Sequence, residues 1–264
     1  MAQTVFNRVE KKYKLSEEKY EAFIEDLLQY MDIDEFGKHT ISNIYYDTPN
    51  DLLIRRSIQK PNPMYKEKLR LRAYGTPNLD SKVFLEIKKK YDGIVNKRRI
   101  QLPLQAAYDY LDNGVKPFEQ TQILSELDYF LSIYDLHPQR MIAYERVALF
   151  GKEDPSFRVT FDTNIRSRTD DLRLEHGSHG ILLFNDNTHL MEVKITNSTP
   201  LWFSKLLSKH QAFTTRFSKA GSFYTLQHQA DMANPDYRPD AIGDYPEPAI
   251  TQEEEDNSSS SLAC

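Results

Sequence analysis

The segments MYKEKLRLRAYG (Met64–Gly75), KVFLEIKKK (Lys82–Lys90) and NKRRIQL (Asn96–Leu102) decide the fold of this chain. Lys66, Lys68, Arg70 and Arg72 occupy every second position, as do Glu86, Lys88 and Lys90, and then Lys97 and Arg99. Successive side chains point to opposite faces of a β-strand, so each set shares a face. Leu69, Leu71 and Ala73 take the other face of the first strand, and Val83, Leu85 and Ile87 that of the second. A half-buried strand turns its apolar side to a core and its polar side to water. Water does not require that polar side to be almost purely cationic on three strands running. A polyanionic ligand does. Gly75-Thr76-Pro77-Asn78 and Asp92-Gly93 supply the turns, the second short enough to make 82–91 and 94–102 a hairpin.

Outward from this centre, Phe6–Leu15 alternates, with Arg8, Glu10, Lys12 and Lys14 on one face. Ser16 suits an N-cap, and a helix is predicted to about Tyr30. Strands are predicted at His39–Asp47, Gln139–Phe150 and Phe157–Arg166, the last with Arg158, Thr160, Asp162 and Arg166 on one face. Gly180–Asn185 and His189–Thr196 read as a hairpin around Asp186-Asn187. Helices are predicted at Asp51–Ser57, Gln105–Asn113 (with Gly114 as C-cap), Glu119–Tyr134 and from Pro200, and over Phe213–Gln227 with an interruption at Gly221. Tyr45 and Tyr46 read as core. The seven histidines have no metal-ligand spacing and read as loop or surface residues.

The net charge of −5 hides a strong asymmetry. Between Lys66 and Arg99, 11 Lys/Arg stand against 4 Asp/Glu; from Asp231 onward, 9 Asp/Glu stand against one Arg. The expected organisation is one domain over 1–229, followed by an acidic, disordered tail over 230–264. The single cysteine, Cys264, excludes an intrachain disulfide. With no apolar signal region and no run long enough to span a bilayer, the sequence reads as a soluble cytoplasmic protein, with association to a membrane through a partner left open.

About eight antiparallel strands with flanking helices make an α+β fold. If the sheet closes into a barrel, the charged faces become its lumen. A lumen of Lys and Arg is costly unless water or anions fill it, and phosphates fill it with charge-assisted contacts. Glu10, Glu86 and Glu192 interrupt the cations, in Glu10-Lys11-Lys12, Glu86-Ile87-Lys88 and Glu192-Val193-Lys194. Among bound phosphates a carboxylate is repulsive unless it pairs with a lysine or holds a divalent cation. Asp162 reads first as a partner for an arginine.

The pieces Glu10–Lys14, Tyr45-Tyr46-Asp47-Thr48, Leu69–Gly75, Phe84–Lys88, Lys97, Tyr144-Glu145-Arg146, Arg158–Thr163, Leu190–Lys194 and Phe217-Ser218-Lys219, in this order, resemble the triphosphate tunnel metalloenzyme (CYTH-like) superfamily. More narrowly they resemble the polyphosphate polymerase domain of the vacuolar transporter chaperone (VTC) family. The resemblance implies a closed, eight-stranded antiparallel β-tunnel. It also implies phosphate contacts from Lys12, Lys14, Arg70, Arg72, Lys88, Lys97, Arg146, Arg158 and Lys219, with Lys90 and Lys194 on the same faces. It makes Glu192 a ligand for Mn²⁺ or Mg²⁺, with Glu10 and Glu86 as further candidates. Catalysis falls to Arg70, Arg72, Lys88, Arg146, Arg158 and Glu192. Where the wider superfamily opens with Glu-x-Glu-x-Lys, the second glutamate is Lys12 here, which favours the polymerase branch over the hydrolase branch.

The expected activity is transfer of the ATP γ-phosphoryl group to a polyphosphate end. The expected partners are ATP or another triphosphate, polyphosphate and pyrophosphate. A triphosphatase using water as acceptor and a non-catalytic module binding polyphosphate or inositol phosphate are the alternatives. Nucleic acid is disfavoured, because basic residues that alternate with apolar ones suit an enclosed lumen better than an open stacking surface.

Overall fold

The computed structural model describes residues 9–59, 64–92, 94–117, 120–184, 187–195 and 198–229. The acidic segment 230–264 and Phe6–Arg8 lie outside the described residues. The elements are β1 (Val9–Leu15), α1 (Glu17–Leu27), β2 (Met31–Ile33), β3 (His39–Asp47), α2 (Leu52–Ile58), β4 (Tyr65–Tyr74), β5 (Lys82–Tyr91), β6 (Ile94–Pro103), α3 (Leu104–Asn113), α4 (Gln122–Ile133), β7 (His137–Gly151), β8 (Arg158–Arg168), β9 (Ile181–Leu182), β10 (His189–Ile195), α5 (Leu201–Lys209) and α6 (Lys219–Gln227). Caps set the helix starts: the Ser16 hydroxyl accepts from Lys19 N, and that of Thr121 from Leu124 N. Gly114 ends α3 with φ +70°, a conformation that costs glycine nothing.

One antiparallel sheet holds the chain together. Its main path runs β1-β10-β8-β7-β3-β4-β5-β6, with β2 paired to β7 and β9 to β8. Leu69, Leu71, Leu85, Ile87, Ile100 and Leu102 turn outward beneath Leu104, Ala107, Leu124, Leu127 and Phe130 of α3 and α4. On the other flank Tyr13, Leu15, Val159, Phe161, Met191 and Val193 are covered by Phe23, Leu27, Phe203 and Leu206 of α1 and α5. Each such side chain contributes about 1.5–3 kcal/mol on leaving water. Both apolar layers lie on one side of the sheet, so the alternation sends the charged positions to the other side.

That other side is the inside of a roll. Lys88 Nζ on β5, the strand before the last of the path, reaches Glu10 Oε2 on β1 at 3.5 Å. Among the described residues, β1 and β6 share no backbone pairing. The eight-stranded antiparallel path is as expected, but its end strands β1 and β6 are not paired, so the sheet is rolled and not closed by backbone pairing among the described residues. The outer edge of β1 pairs instead with the strap before α6: Tyr13 bridges Thr214, and Thr215 N donates to Lys12 O at 2.7 Å. Helix α6 lies against the inner face, with Ala220 and Phe223 on Ile41, Ile142, Tyr144 and Leu190.

Three expectations change. β9 and β10 form no hairpin: β9 pairs with β8, while β10 sits between β8 and β1. The reason is Arg168, whose guanidinium gathers the carbonyls of Asp171, Arg173, Gly177 and His179 and folds the intervening loop back onto β8. Residues 213–218 are not helical, because their backbone is spent on the β1 edge; α6 begins at the Ser218 cap and passes Gly221 without interruption. A Cβ at Gly221 would come within 2.9 Å of Ile58 Cγ2, so the glycine there serves the α2–α6 contact. Finally, Asn164 takes a left-handed conformation (φ +48°) opposite a register shift in β7. Beyond it the faces exchange: Ile165 joins the inner apolar cluster, and Arg166 leaves the face of Arg158 to bond Ser178.

Candidate functional site

Strand register fixes which candidates share the inner face. Arg70 lies opposite Glu86 and Tyr45, Lys68 opposite Lys88, and Lys88 opposite Lys97. Lys12 lies opposite Glu192, Glu192 opposite Thr160, Lys194 opposite Arg158, and Arg146 opposite Asp162.

The side chains form two charge clusters. In the first, the Glu86 carboxylate is only 1% exposed. Arg70 Nε donates to its Oε2 at 2.7 Å, with a second Arg70 nitrogen at the same distance. Lys97 Nζ lies 2.7 Å from Oε1, and Arg72 Nε 3.9 Å from Oε2. Burial pushes the Glu86 carboxyl up, but Arg70, Arg72 and Lys97 outweigh it and hold it at about 2. In the second, Asp162 takes a two-pronged contact from Arg146, Nε at 2.6 Å and a terminal nitrogen at 2.8 Å, and a third from Lys219 Nζ. Lys219 and Arg146 hold that carboxyl far below its ordinary range against burial. Asp162 is thus the arginine partner expected of it. Tyr144 links the clusters: its hydroxyl oxygen accepts from Arg72 at 3.3 Å while its ring lies under both Arg146 and Lys219.

Glu192 differs from both acids. One oxygen is 4.0 Å from Lys12 Nζ and the other 3.8 Å from Lys194 Nζ. Neither accepts a hydrogen bond among the described residues. Burial raises its carboxyl, and Lys194, Lys12 and Lys219 more than offset that. Opposite it, the buried Thr160 hydroxyl has no hydrogen-bond partner among the described residues. This is a donor set open to a hard cation: one carboxylate on a strand, a second near by in Glu10, and an unfilled hydroxyl. Glu86 does not fit a metal, because Arg70 and Lys97 already take both its oxygens. No three acidic, His or Cys side chains converge among the described residues, so any further ligands come from phosphate or water.

The remaining candidates are placed less centrally. Lys14 shares the face, but its ammonium sits 4.3 Å over the Phe184 ring. Arg158 is exposed, and Lys90 lies beside Lys66 at the far end of the wall. Lys12 donates to the Phe217 carbonyl at 2.9 Å, tying the site to the strap. Sequence reasoning passed over Lys68 and Tyr45, although both obey the alternation. Lys68 has no hydrogen-bond or ion-pair partner among the described residues, and burial among other lysines lowers its ammonium to about 8. Tyr45 is not a plain core residue: its hydroxyl accepts from Arg70 at 3.3 Å, and Arg70, Lys68 and Arg72 overcome burial to lower it to about 8. Arg98 and Lys209 lie outside the site, paired with Glu126 and Asp26. Of the histidines, His189 is buried, stacked 3.6 Å from Tyr20 and bonded to Glu17.

A rolled antiparallel sheet with a cationic inner wall, two acids held by close ion pairs and a third, Glu192, in longer ones defines a β-roll whose inner face has the charge to receive anions. Solved structures share the fold. A candidate adenylate cyclase from Bacillus halodurans superposes with a TM-score of 0.53 at 16% identity, over 82% of this chain and 96% of that one. A Hippeastrum adenylyl cyclase candidate, described as having a dominant triphosphatase activity, gives 0.51 at 16% identity over 84% and 96%. The chain belongs to the VTC domain family, which it matches over residues 7–224. It is 30% identical over 165 residues to subunit 4 of the vacuolar transporter chaperone complex of Trypanosoma brucei brucei, covering 52% of this chain and 21% of that subunit. The chain thus matches about a fifth of the curated relative's length. No helix among the described residues is long and apolar enough to cross a membrane.

Proposed function

We propose that this chain is an ATP:polyphosphate phosphotransferase that extends polyphosphate inside the roll. The observation that supports this reading is the inner wall itself, where two clusters of cations from β4, β6, β7 and α6 meet at Tyr144. Arg70, Arg72, Arg146, Arg158 and Lys219 bind the phosphates, and Lys12, Lys14, Lys88, Lys90, Lys97 and Lys194 retain the chain. An oxygen of the acceptor's terminal phosphate attacks the γ-phosphorus; the bond from that phosphorus to the β–γ bridging oxygen breaks, and ADP leaves with the electron pair. Such transfer needs alignment and charge neutralisation, with no protein nucleophile. Mn²⁺ or Mg²⁺, held by Glu192 with Glu10 near by, would neutralise phosphate oxygens when bound.

In this reading the phosphate chain lies inside the roll, and the Lys88–Glu10 contact between β5 and β1 helps enclose it as a tunnel. The name of the trypanosomal relative, a subunit of a vacuolar transporter chaperone complex, supports a domain that works with partner subunits; a cytoplasmic position beside a membrane-protein partner is part of the proposal. Incubation with ATP and Mn²⁺, followed by gel detection of the product, tests the proposal. Long chains support it. Free phosphate alone makes the protein a triphosphatase, and no turnover with retained tripolyphosphate binding makes it a binding module.

A further inference from the structure

Away from α6, the inner face ends in rings instead of charges. Tyr74 follows Arg72 two residues along β4, on the same face and roughly 7 Å farther out. Its ring centre lies 5.9 Å from that of His39 on β3 and 5.8 Å from Phe84 on β5, edge-on to the latter. Phe36, in the loop before β3, packs edge-on to His39 at 6.2 Å. The Arg99 guanidinium completes the row 4.7 Å over Phe84. Phe36 is 69% exposed and Tyr74 49%. Rings left in water at the rim of a charged cleft add little to the core.

We propose that this rim is a nucleobase platform, with Tyr74 and Phe36 stacking the base of a nucleoside triphosphate whose phosphates lie on Arg72 and Arg146. Continuity with the cationic wall carries the assignment. Tyr74 shares a face with Arg72, and His39 lies opposite Arg146 in the β3–β7 register. A ligand with a flat apolar end and a polyanionic end matches this sequence of surfaces. His39 also offers polarity: its Nδ1 faces the Gly37 carbonyl at 3.1 Å and must carry the proton there. In the neutral ring Nε2 is then an acceptor, suited to an exocyclic amino group. Stacking tolerates any base because each has a π-face, so the platform separates nucleotides from inorganic triphosphate more than one nucleotide from another.

This inference rests on the reading of the inner wall as a triphosphate site, and the test separates the two. Calorimetric titrations with ATP and with tripolyphosphate, without divalent metal to prevent turnover, compare the unaltered protein with Tyr74→Leu and Phe36→Leu. Both side chains are exposed, so folding is spared. The expected result is an ATP affinity about tenfold weaker in Tyr74→Leu, with tripolyphosphate affinity unchanged. Unchanged ATP affinity in both variants overturns the platform, as does an equal loss for both ligands. An unaltered protein that binds neither ligand sinks the triphosphate site itself.

Discussion

Replacing Glu86 with Gln tests how the wall is held together. The carboxylate is buried and carries the only negative charge within hydrogen-bonding reach of Arg70 and Lys97 among the described residues. The amide keeps the shape, removes the charge and turns an N–H₂ group toward cations. The distance between the ordinary value of 4.5 and about 2 in the fold corresponds to roughly 3 kcal/mol. That agrees with the 3–5 kcal/mol that breaking a buried ion pair typically costs, about the upper end of single-site effects. For a chain of this size the melting temperature should fall by roughly 6–12 °C at pH 7. Because the folded value is depressed, this contribution is complete above about pH 4.5 and is lost as the pH falls toward 2. Tripolyphosphate should stabilise Glu86→Gln by more than it stabilises the unaltered protein, since it replaces the missing anion beside Arg70 and Lys97. Thermal melts with and without tripolyphosphate measure both quantities. An unchanged melting temperature, or a smaller stabilisation by tripolyphosphate in the variant, refutes the reasoning. Loss of metal-dependent turnover at full stability would return Glu86 to the metal site.

Glu192→Gln should lose Mn²⁺-dependent turnover by about two orders of magnitude or more while keeping tripolyphosphate binding in chelator; full turnover sinks the metal assignment. Lys68, lowered to about 8 by burial, should take up a proton when phosphate binds beside it, so affinity falls as pH rises past 8. Calorimetry in buffers of different ionisation heat should show that uptake at pH 8.5 and its reduction in Lys68→Met. Asp47 accepts from the backbone N–H groups of Thr48, Leu53 and Ile54 at the start of α2. Asp47→Ala should therefore cost about 1–3 kcal/mol in chemical denaturation and leave tripolyphosphate affinity intact.

Much of the architecture was legible because charge and apolarity alternate so regularly on β4, β5 and β6. The same alternation places Glu10 and Lys12 on one face of β1 and Glu192 and Lys194 on one face of β10, while Arg146 is nominated by the family resemblance alone. It failed where a distant group decides the local path. Asp186-Asn187 carries an ordinary hairpin signal, and only Arg168, reaching four carbonyls of a loop, explains why β9 turns to β8. Nothing local in residues 213–218 shows that β1 will need an edge partner. Arg166 kept the period but lost the face, because Asn164 inserts a left-handed residue that no periodicity counts. At the site, pattern could nominate three glutamates but could not rank them. The resemblance ranks Glu192 first, and the distances support that order: Arg70 and Lys97 stand 2.7 Å from the two oxygens of Glu86, while those of Glu192 remain at 3.8 Å and 4.0 Å from their lysines.

The seam between β1 and β6 has a consequence for how this protein keeps to itself in a crowded solution. A sheet whose ends do not pair offers strand edges to any passing chain, and such edges invite aggregation. One edge is covered from within, by Thr214 and Thr215 on β1. The other, β6, carries Lys97, Arg98 and Arg99 in succession and ends in Pro103, which has no N–H to donate. A second copy of β6 approaching that edge would meet its own charges, so the cations of the wall also keep the molecules apart.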